Sequence, residues 1–323
     1  MPESVFIKNK KSRNIIIRSS LDLQENYFGN GIQIPYVLIN GKDKGPNGVI
    51  LSGIHGDELN GIPIIHKLID ALNPEHMSGS LLLLPIANIP GFILHSRYLP
   101  DRRDLNRLFP GQESGSEGSR IAFSIWKNFI EDADFGLDLH SASYNRWNYP
   151  HIRGNMKIEK IRKMSSAFGA SITIHSKGVK GSLRREAAMR GIPFILFEAG
   201  QINRFEPGIT DIGVNGIIGV LSCLEMIEKS SGLNRPEPSS SYFSKSQWIR
   251  AGGGGLFVPS IFPGDIVKKG EVLGDIHSIQ GEIRDQVKSD IDGRIIGFNL
   301  HPQVVPGRAL YNIAYTNKSF VEP

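Results

Sequence analysis

Three residues of this chain have the types and the settings of metal ligands. His55 and Glu58 lie in Gly53-Ile54-His55-Gly56-Asp57-Glu58-Leu59-Asn60-Gly61, a glycine-rich turn directly after the apolar run Val49-Ile50-Leu51-Ser52. Neutral imidazole and carboxylate are both good ligands for Zn²⁺, and a catalytic zinc takes three protein ligands and leaves a position for water. His140 supplies a third donor, because it closes the apolar run Phe135-Gly136-Leu137-Asp138-Leu139 much as His55 follows its own. Together they form a His₂Glu set, one that zinc hydrolases use. A further carboxylate, Glu198, ends Pro193-Phe194-Ile195-Leu196-Phe197, where packing alone does not explain an acid.

These side chains need a sheet to bring them together. The runs at 49–52, 80–86, 135–140 and 193–199 read as buried strands. Helical spacing is predicted over Ile62–Leu72, Glu117–Glu131, Lys157–Phe168, Ser182–Met189 and Asp211–Glu228, with a short strand at Ser171–His175. Alternating strands and helices predict an α/β layer fold, whose sites lie at the carboxyl ends of the strands. Residues 1–47 read as edge strands, Asn14–Ile17 and Ile34–Ile39, separated by polar turns such as Asn40–Pro46. Asn88 to Gly111 has little periodicity, and a loop that long inside a compact domain is usually functional. Its arginines, Arg97, Arg102, Arg103 and Arg107, suit a small anionic substrate, because guanidinium forks match carboxylates.

The texture changes near the Pro- and Ser-rich stretch 230–246. Beyond it, short β runs with glycine turns predict a small all-β unit. The expected organisation is an α/β domain over 1–235, a linker over 236–246 and a β unit over 247–323. A net charge of +5 spread along the chain, without a binding motif, gives no reason to expect nucleic acid. There is no basic-then-apolar leader and no apolar run of about 18 residues, so neither secretion nor a membrane span is expected. The single Cys223 precludes an intrachain disulfide and points to a reducing, cytoplasmic location.

Four motifs, Gly53-Ile54-His55-Gly56-Asp57-Glu58, Asp104-Leu105-Asn106-Arg107 with Phe109-Pro110-Gly111, Asp138-Leu139-His140-Ser141 and Phe197-Glu198-Ala199-Gly200, resemble in type and order the succinylglutamate desuccinylase/aspartoacylase family, relatives of the zinc carboxypeptidases. The resemblance implies a carboxypeptidase-like mixed sheet flanked by helices. It also implies one Zn²⁺ per chain on His55, Glu58 and His140, with Glu198 as general base. Asn106 and Arg107 would then hold the carboxylate or amide end of the substrate, and an upstream arginine would polarise the scissile carbonyl: Arg97, with Arg102 and Arg103 as alternatives. In that fold the loop after His140 borders the pocket, making Arg146, Asn148 and Arg153 specificity candidates; His175 and Arg184 are treated alike. His66 and His76 read as ordinary helix and loop residues, and His95 as a neighbour of the arginine cluster.

The implied reaction is hydrolysis of the amide of an N-acyl amino acid or a similar small carboxylate. Mn²⁺, Co²⁺ or Ni²⁺ would suit the same ligands. A metallocarboxypeptidase-type peptidase and a catalytically silent binding module on the same fold are the competing readings. The second is disfavoured because every matched motif position is intact. The carboxyl-terminal unit resembles the barrel-sandwich folds of biotinyl and lipoyl carriers through Pro263–Gly270 and Asp292–Ile296, but His277–Glu282 between those halves has no lysine to modify. It reads instead as a module that covers the pocket or assembles a homo-oligomer.

Overall fold

The computed structural model describes residues 3–25, 29–228 and 241–316. A short helix α1 (Val5–Lys8) precedes β1 (Ile15–Glu25) and β2 (Gly31–Asn40). Next come β3 (Asp43–Ser52), α2 (Gly61–Ala71), β4 (Ser78–Leu84) and α3 (Ile89–Ile93). Helix α4 (Glu117–Ile125) runs on as a π-helical turn to Ile130 and leads into β5 (Phe135–His140). The first part ends with β6 (Arg146–Gly154), α5 (Glu159–Phe168), β7 (Ile172–His175), α6 (Leu183–Met189), β8 (Phe194–Gly200) and α7 (Pro207–Cys223). Strands β9 (Ser241–Phe243), β10 (Lys245–Arg250), β11 (Gly255–Pro259), β12 (Ile266–Val267) and β13 (Val272–His277) follow. The last are β14 (Ile283–Lys288), β15 (Gly293–Asn299), β16 (Gln303–Val304) and β17 (Ala309–Tyr315).

Strand β3 runs parallel to β4 and β5, and β5 runs parallel to β8. Parallel strands covered on both faces are largely apolar, which is why these segments read as hydrophobic runs, broken by Asp138 in β5 and Glu198 in β8. Helices α2, α5 and α7 cover one face of the sheet around Ile65, Phe168 and Ile217. Helices α1, α4 and α6 cover the other around Phe6, Ile125 and Leu183. Fold class is therefore as the sequence implies: a mixed α/β sheet flanked by helices, with a small antiparallel sheet β14-β13-β11-β16 near the carboxyl end.

The main sheet does not stop at the change of texture. Its order is β1-β2-β4-β3-β5-β8-β6-β15-β17-β10, so strands from both parts of the chain share it. Strand β6 is the seam. One edge pairs with β8; on the other, Arg146–Asn148 pairs with Asn299–Gly297 of β15, and Ile152–Gly154 pairs with Thr173–His175 of β7.

Several local expectations change. The last helix of the first part spans Pro207–Cys223, four residues earlier at its start than Asp211, because Pro207 can open a helix where its missing N–H is not needed. The turn expected through Pro46 is half strand, since β3 begins at Asp43 and meets Ser78. Of the linker expected at 236–246, residues up to 240 lie outside the described residues, whereas 241–243 and 245–246 are strand, tied to β7 and β17. The segment after His140 is a loop only to Asn145; Arg146 to Arg153 belong to β6. Among the described residues no helix is long and apolar enough to cross a membrane.

Candidate metal centre and active site

The carboxyl ends of β3, β5 and β8 lie side by side, with His140 directly opposite Glu198 in register and Ser52 opposite Leu139. After Ser52 the chain turns at Gly53, whose φ of +64° is left-handed and suits glycine. Gly56 then passes so close to the Gly91–Phe92 peptide that a Cβ would come within 2.0 Å. This nesting folds His55 and Glu58 back over the end of β5.

His55, Glu58 and His140 are all buried, and one ligand atom from each lies within 4.8 Å of the other two. Glu58 is the hub. Its Oε1 is 2.7 Å from His55 Nδ1, and its Oε2 is 2.8 Å from His140 Nδ1 and accepts from Ser141 N at 3.0 Å. The far nitrogen of each imidazole faces another carboxylate. His55 Nε2 is 3.1 Å from Asp104 Oδ1. His140 Nε2 is 2.9 Å from Asp138 Oδ2, near enough for an ion pair though out of line for a hydrogen bond, and the wholly buried Asp138 has no other hydrogen-bond partner. Carboxylates backing metal-binding histidines in this way fix the ring and raise its basicity.

Burial opposes charge on these groups, but their neighbours outweigh it. For His55 the Glu58 and Asp104 carboxylates lift the pKa above the ordinary imidazole value, and for His140 Asp138 and Glu58 do so more strongly. Glu58, despite its burial, is held well below the ordinary carboxylate range by the two histidines. A donor set of two imidazole nitrogens and a carboxylate, each imidazole backed by an acid, fits a divalent ion such as zinc.

The surrounding residues divide clearly. Arg97 reaches the centre: Nη1 is 3.2 Å from Glu58 Oε1 and from His55 Nδ1, and Nη2 donates to Asp104 Oδ2 at 2.9 Å. Arg102 and Arg103 do not. Arg102 sits at φ 63° in an exposed turn, and Arg103 Nη1 donates to Ser116 Oγ at 2.6 Å. Asn106 and Arg107 line the same cavity, but the Asn106 oxygen is engaged by Leu183 N at 2.9 Å, fixing the start of α6. Asn148 Nδ2 donates to Glu198 Oε2 at 2.8 Å, so this asparagine braces the acid. Burial lifts the Glu198 carboxyl above its ordinary pKa against the pull of His140 and Arg153.

A cavity of about 1040 Å³ joins these groups to His95, Arg146, Arg153 and Arg184. His66, His76 and His175 are not among its lining, and His175 Nδ1 accepts instead from Met156 N at 3.1 Å. Four contributors escaped the sequence. Asp104 and Asp138 stood inside the motifs without a reason to act, and Trp248 and Asn312 of β10 and β17 wall the cavity from the other part of the chain.

The chain is similar to known proteins in sequence and in fold. Residues 44–224 match the family model for the succinylglutamate desuccinylase/aspartoacylase catalytic domain. The chain is similar to an N-alpha-acetyl-L-2,4-diaminobutyric acid deacetylase of Halomonas elongata, with 26% identity over 259 residues, 77% of this chain and 75% of that protein. Its fold is shared with a succinylglutamate desuccinylase/aspartoacylase from Rhodobacter sphaeroides, at TM-score 0.80 and 24% identity, covering 95% of this chain and 97% of the other. It is shared too with the ectoine utilization protein EutE (DoeB) from Ruegeria pomeroyi in a product-bound structure, at TM-score 0.82 and 21% identity, covering 94% and 97%.

Proposed function

The chain belongs to the succinylglutamate desuccinylase/aspartoacylase family, and from that premise we propose that it is a zinc-dependent deacylase, hydrolysing the amide of an N-acyl amino acid or similar small carboxylate. The observation that carries this reading is the buried His55–Glu58–His140 trio with Glu198 beside it at the adjacent strand end. The deacetylase from Halomonas elongata supports the acyl-amide reading over that of a silent binding module.

His55, Glu58 and His140 hold the ion, which when bound supplies Lewis acidity to a carbonyl and acidity to water. Glu198 takes a proton from the attacking water and hands it to the leaving amine nitrogen. Its raised pKa, set by burial, suits both halves of that transfer. Asn148 fixes the orientation of the carboxylate through its 2.8 Å hydrogen bond. Asp104 positions both His55 and Arg97, and the guanidinium of Arg97 stabilises the oxyanion as the carbonyl is attacked. Asn106 and Arg107, on the cavity wall, bind the carboxylate of the amine half.

The test is metal content of the purified protein beside His55→Ala, together with amine release from a panel of N-acetyl and N-succinyl amino acids. Zinc lost in the variant, with release from a panel member, is the expected outcome. Wild-type protein that binds no metal would overturn the mechanism.

A further inference from the structure

Glu58 follows β3 and Glu198 lies near the end of β8, and a third acid, Glu206, which does not line the cavity, joins the supports of both. Glu206 stands immediately before α7, in the loop that leaves β8. Its Oε1 accepts from Gln201 N at 2.9 Å and from Asn60 Nδ2 at 3.3 Å, and its own N donates to Asn60 Oδ1 at 2.9 Å. Its Oε2 accepts from Trp147 Nε1 at 2.8 Å. Gly200, the last residue of β8, makes room for this arrangement, since a Cβ there would run into both Glu206 Oε1 and Asn60 Nδ2.

Each oxygen leads to one carboxylate of the centre. On the Oε1 side, Asn60, 1% exposed, also donates to Ser141 Oγ at 3.2 Å, and Ser141 N donates to Glu58 Oε2 at 3.0 Å. Asn203 N donates to Asp57 O at 2.9 Å, which ties the same loop to the residue before Glu58. On the Oε2 side, Trp147 precedes Asn148, whose Nδ2 donates to Glu198 Oε2 at 2.8 Å. Consecutive side chains of a strand point to opposite faces. Trp147 packs against the core under α2, α5 and α7, and Asn148 lines the cavity. A twist of β6 that released the indole would therefore carry Asn148 away from Glu198. Both oxygens of Glu206 accept from N–H donors, which a carboxylate does on both sides at once and a carboxamide on one only.

We propose that Glu206 is a positioning residue of the reaction, holding the ligand carboxylate of Glu58 through Asn60 and Ser141 and the general base Glu198 through Trp147 and Asn148. It does so without touching substrate or ion. The proposal rests on the deacylase reading and adds to it the device that keeps the two carboxylates in register.

The experiment measures kcat and KM at saturating zinc, and zinc affinity by competition with a chromophoric chelator, in three variants. Glu206→Gln must set its NH₂ against Trp147 Nε1 or against Gln201 N and Asn60 Nδ2. It should lower kcat by about 10- to 100-fold with KM little changed, and weaken zinc binding by about tenfold. Trp147→Phe, which frees only the Oε2 side, should lower kcat and leave zinc affinity at its wild-type value. In the double variant Glu206→Gln with Trp147→Phe, the amide oxygen can serve Gln201 and Asn60 while the NH₂ faces no donor. Zinc affinity should then return while kcat stays low. A Glu206→Gln protein with a lowered thermal midpoint but wild-type kcat and zinc affinity would make the contact merely structural and overturn the proposal. Should Glu206→Gln fail to fold, a wild-type kcat in Trp147→Phe would overturn it equally. Zinc affinities that follow the expected pattern in a protein that turns over no panel member would instead sink the deacylase reading and leave Glu206 as a positioning residue of the metal site.

Discussion

Glu198 shows how much chemistry hangs on single atoms. Glu198→Gln keeps the size of the side chain and a partner for Asn148 but cannot carry a proton. A fall in kcat of about 10² to 10⁴ is expected, with zinc content unchanged, read by amine release beside elemental analysis. The acids behind the histidines should behave in the opposite way. Asp104→Asn and Asp138→Asn are each expected to weaken zinc binding by about 10- to 100-fold, measured by competition with a chromophoric chelator. The candidate ligands themselves were legible because a histidine or glutamate at the end of an apolar run has no packing reason to be there. The acids behind them were not, because their partners lie far along the chain from Asp104 and on the same strand, two residues on, from Asp138. Sequence likewise could not say which of Arg97, Arg102 and Arg103 lies near the cluster; Arg97 does, while Arg102 sits in an exposed turn and Arg103 is tied to Ser116.

At the scale of elements, β3, β5 and β8 were readable because burial on both faces writes itself as a largely apolar run. Strand β6 was not. Arg146-Trp147-Asn148-Tyr149-Pro150-His151 has the polarity and the proline of a loop, and a proline argues against a central strand. The structure accommodates it because β15 pairs only as far as Asn148 and β7 begins at Ile152, so Pro150 falls where that edge forks and, with the register to β8 shifting between Asn148 and His151, needs no ladder bond. His151, fully buried in the same strand, faces Tyr149 O at 2.6 Å through Nδ1 and accepts from Arg153 Nε at 3.1 Å through Nε2. Burial, with Arg153 adding to it, lowers its pKa to about 3. The unfolded chain therefore binds this proton first as pH falls. The contribution of His151 to stability is complete above about 6.5 and declines between there and about 3, by about 1.4 kcal/mol per pH unit. Urea titrations at stepped pH should show this slope in wild type and a flatter one in His151→Gln.

For the whole molecule, the candidate metal centre joins segments far apart in sequence, so an ion bound there would stabilise the fold as a unit. Removing zinc with a chelator should lower the thermal midpoint, by an amount equivalent to about 2.7 kcal/mol when free zinc had been about 100 times Kd, and added zinc should restore it. His55→Ala should show no such dependence. The small antiparallel sheet was anticipated from glycine-rich turns, but its neighbours β15, β17 and β10 were not placed in the main sheet, because no periodicity within a strand says which edge it will join.

That shared edge sets a limit on exchange. The family match closes at residue 224, which suggests a cassette that could be lifted out and recombined. Strand β6 lies inside the cassette, yet Arg146 to Asn148 finds its partner in β15, outside it. A chain ended at Glu228 would present this stretch as a raw strand edge, open to pairing with its own copies. Such a fragment is expected to sediment as aggregate in analytical ultracentrifugation where the full chain does not. The recombinable unit, in engineering or in descent, is the catalytic part and its wall together.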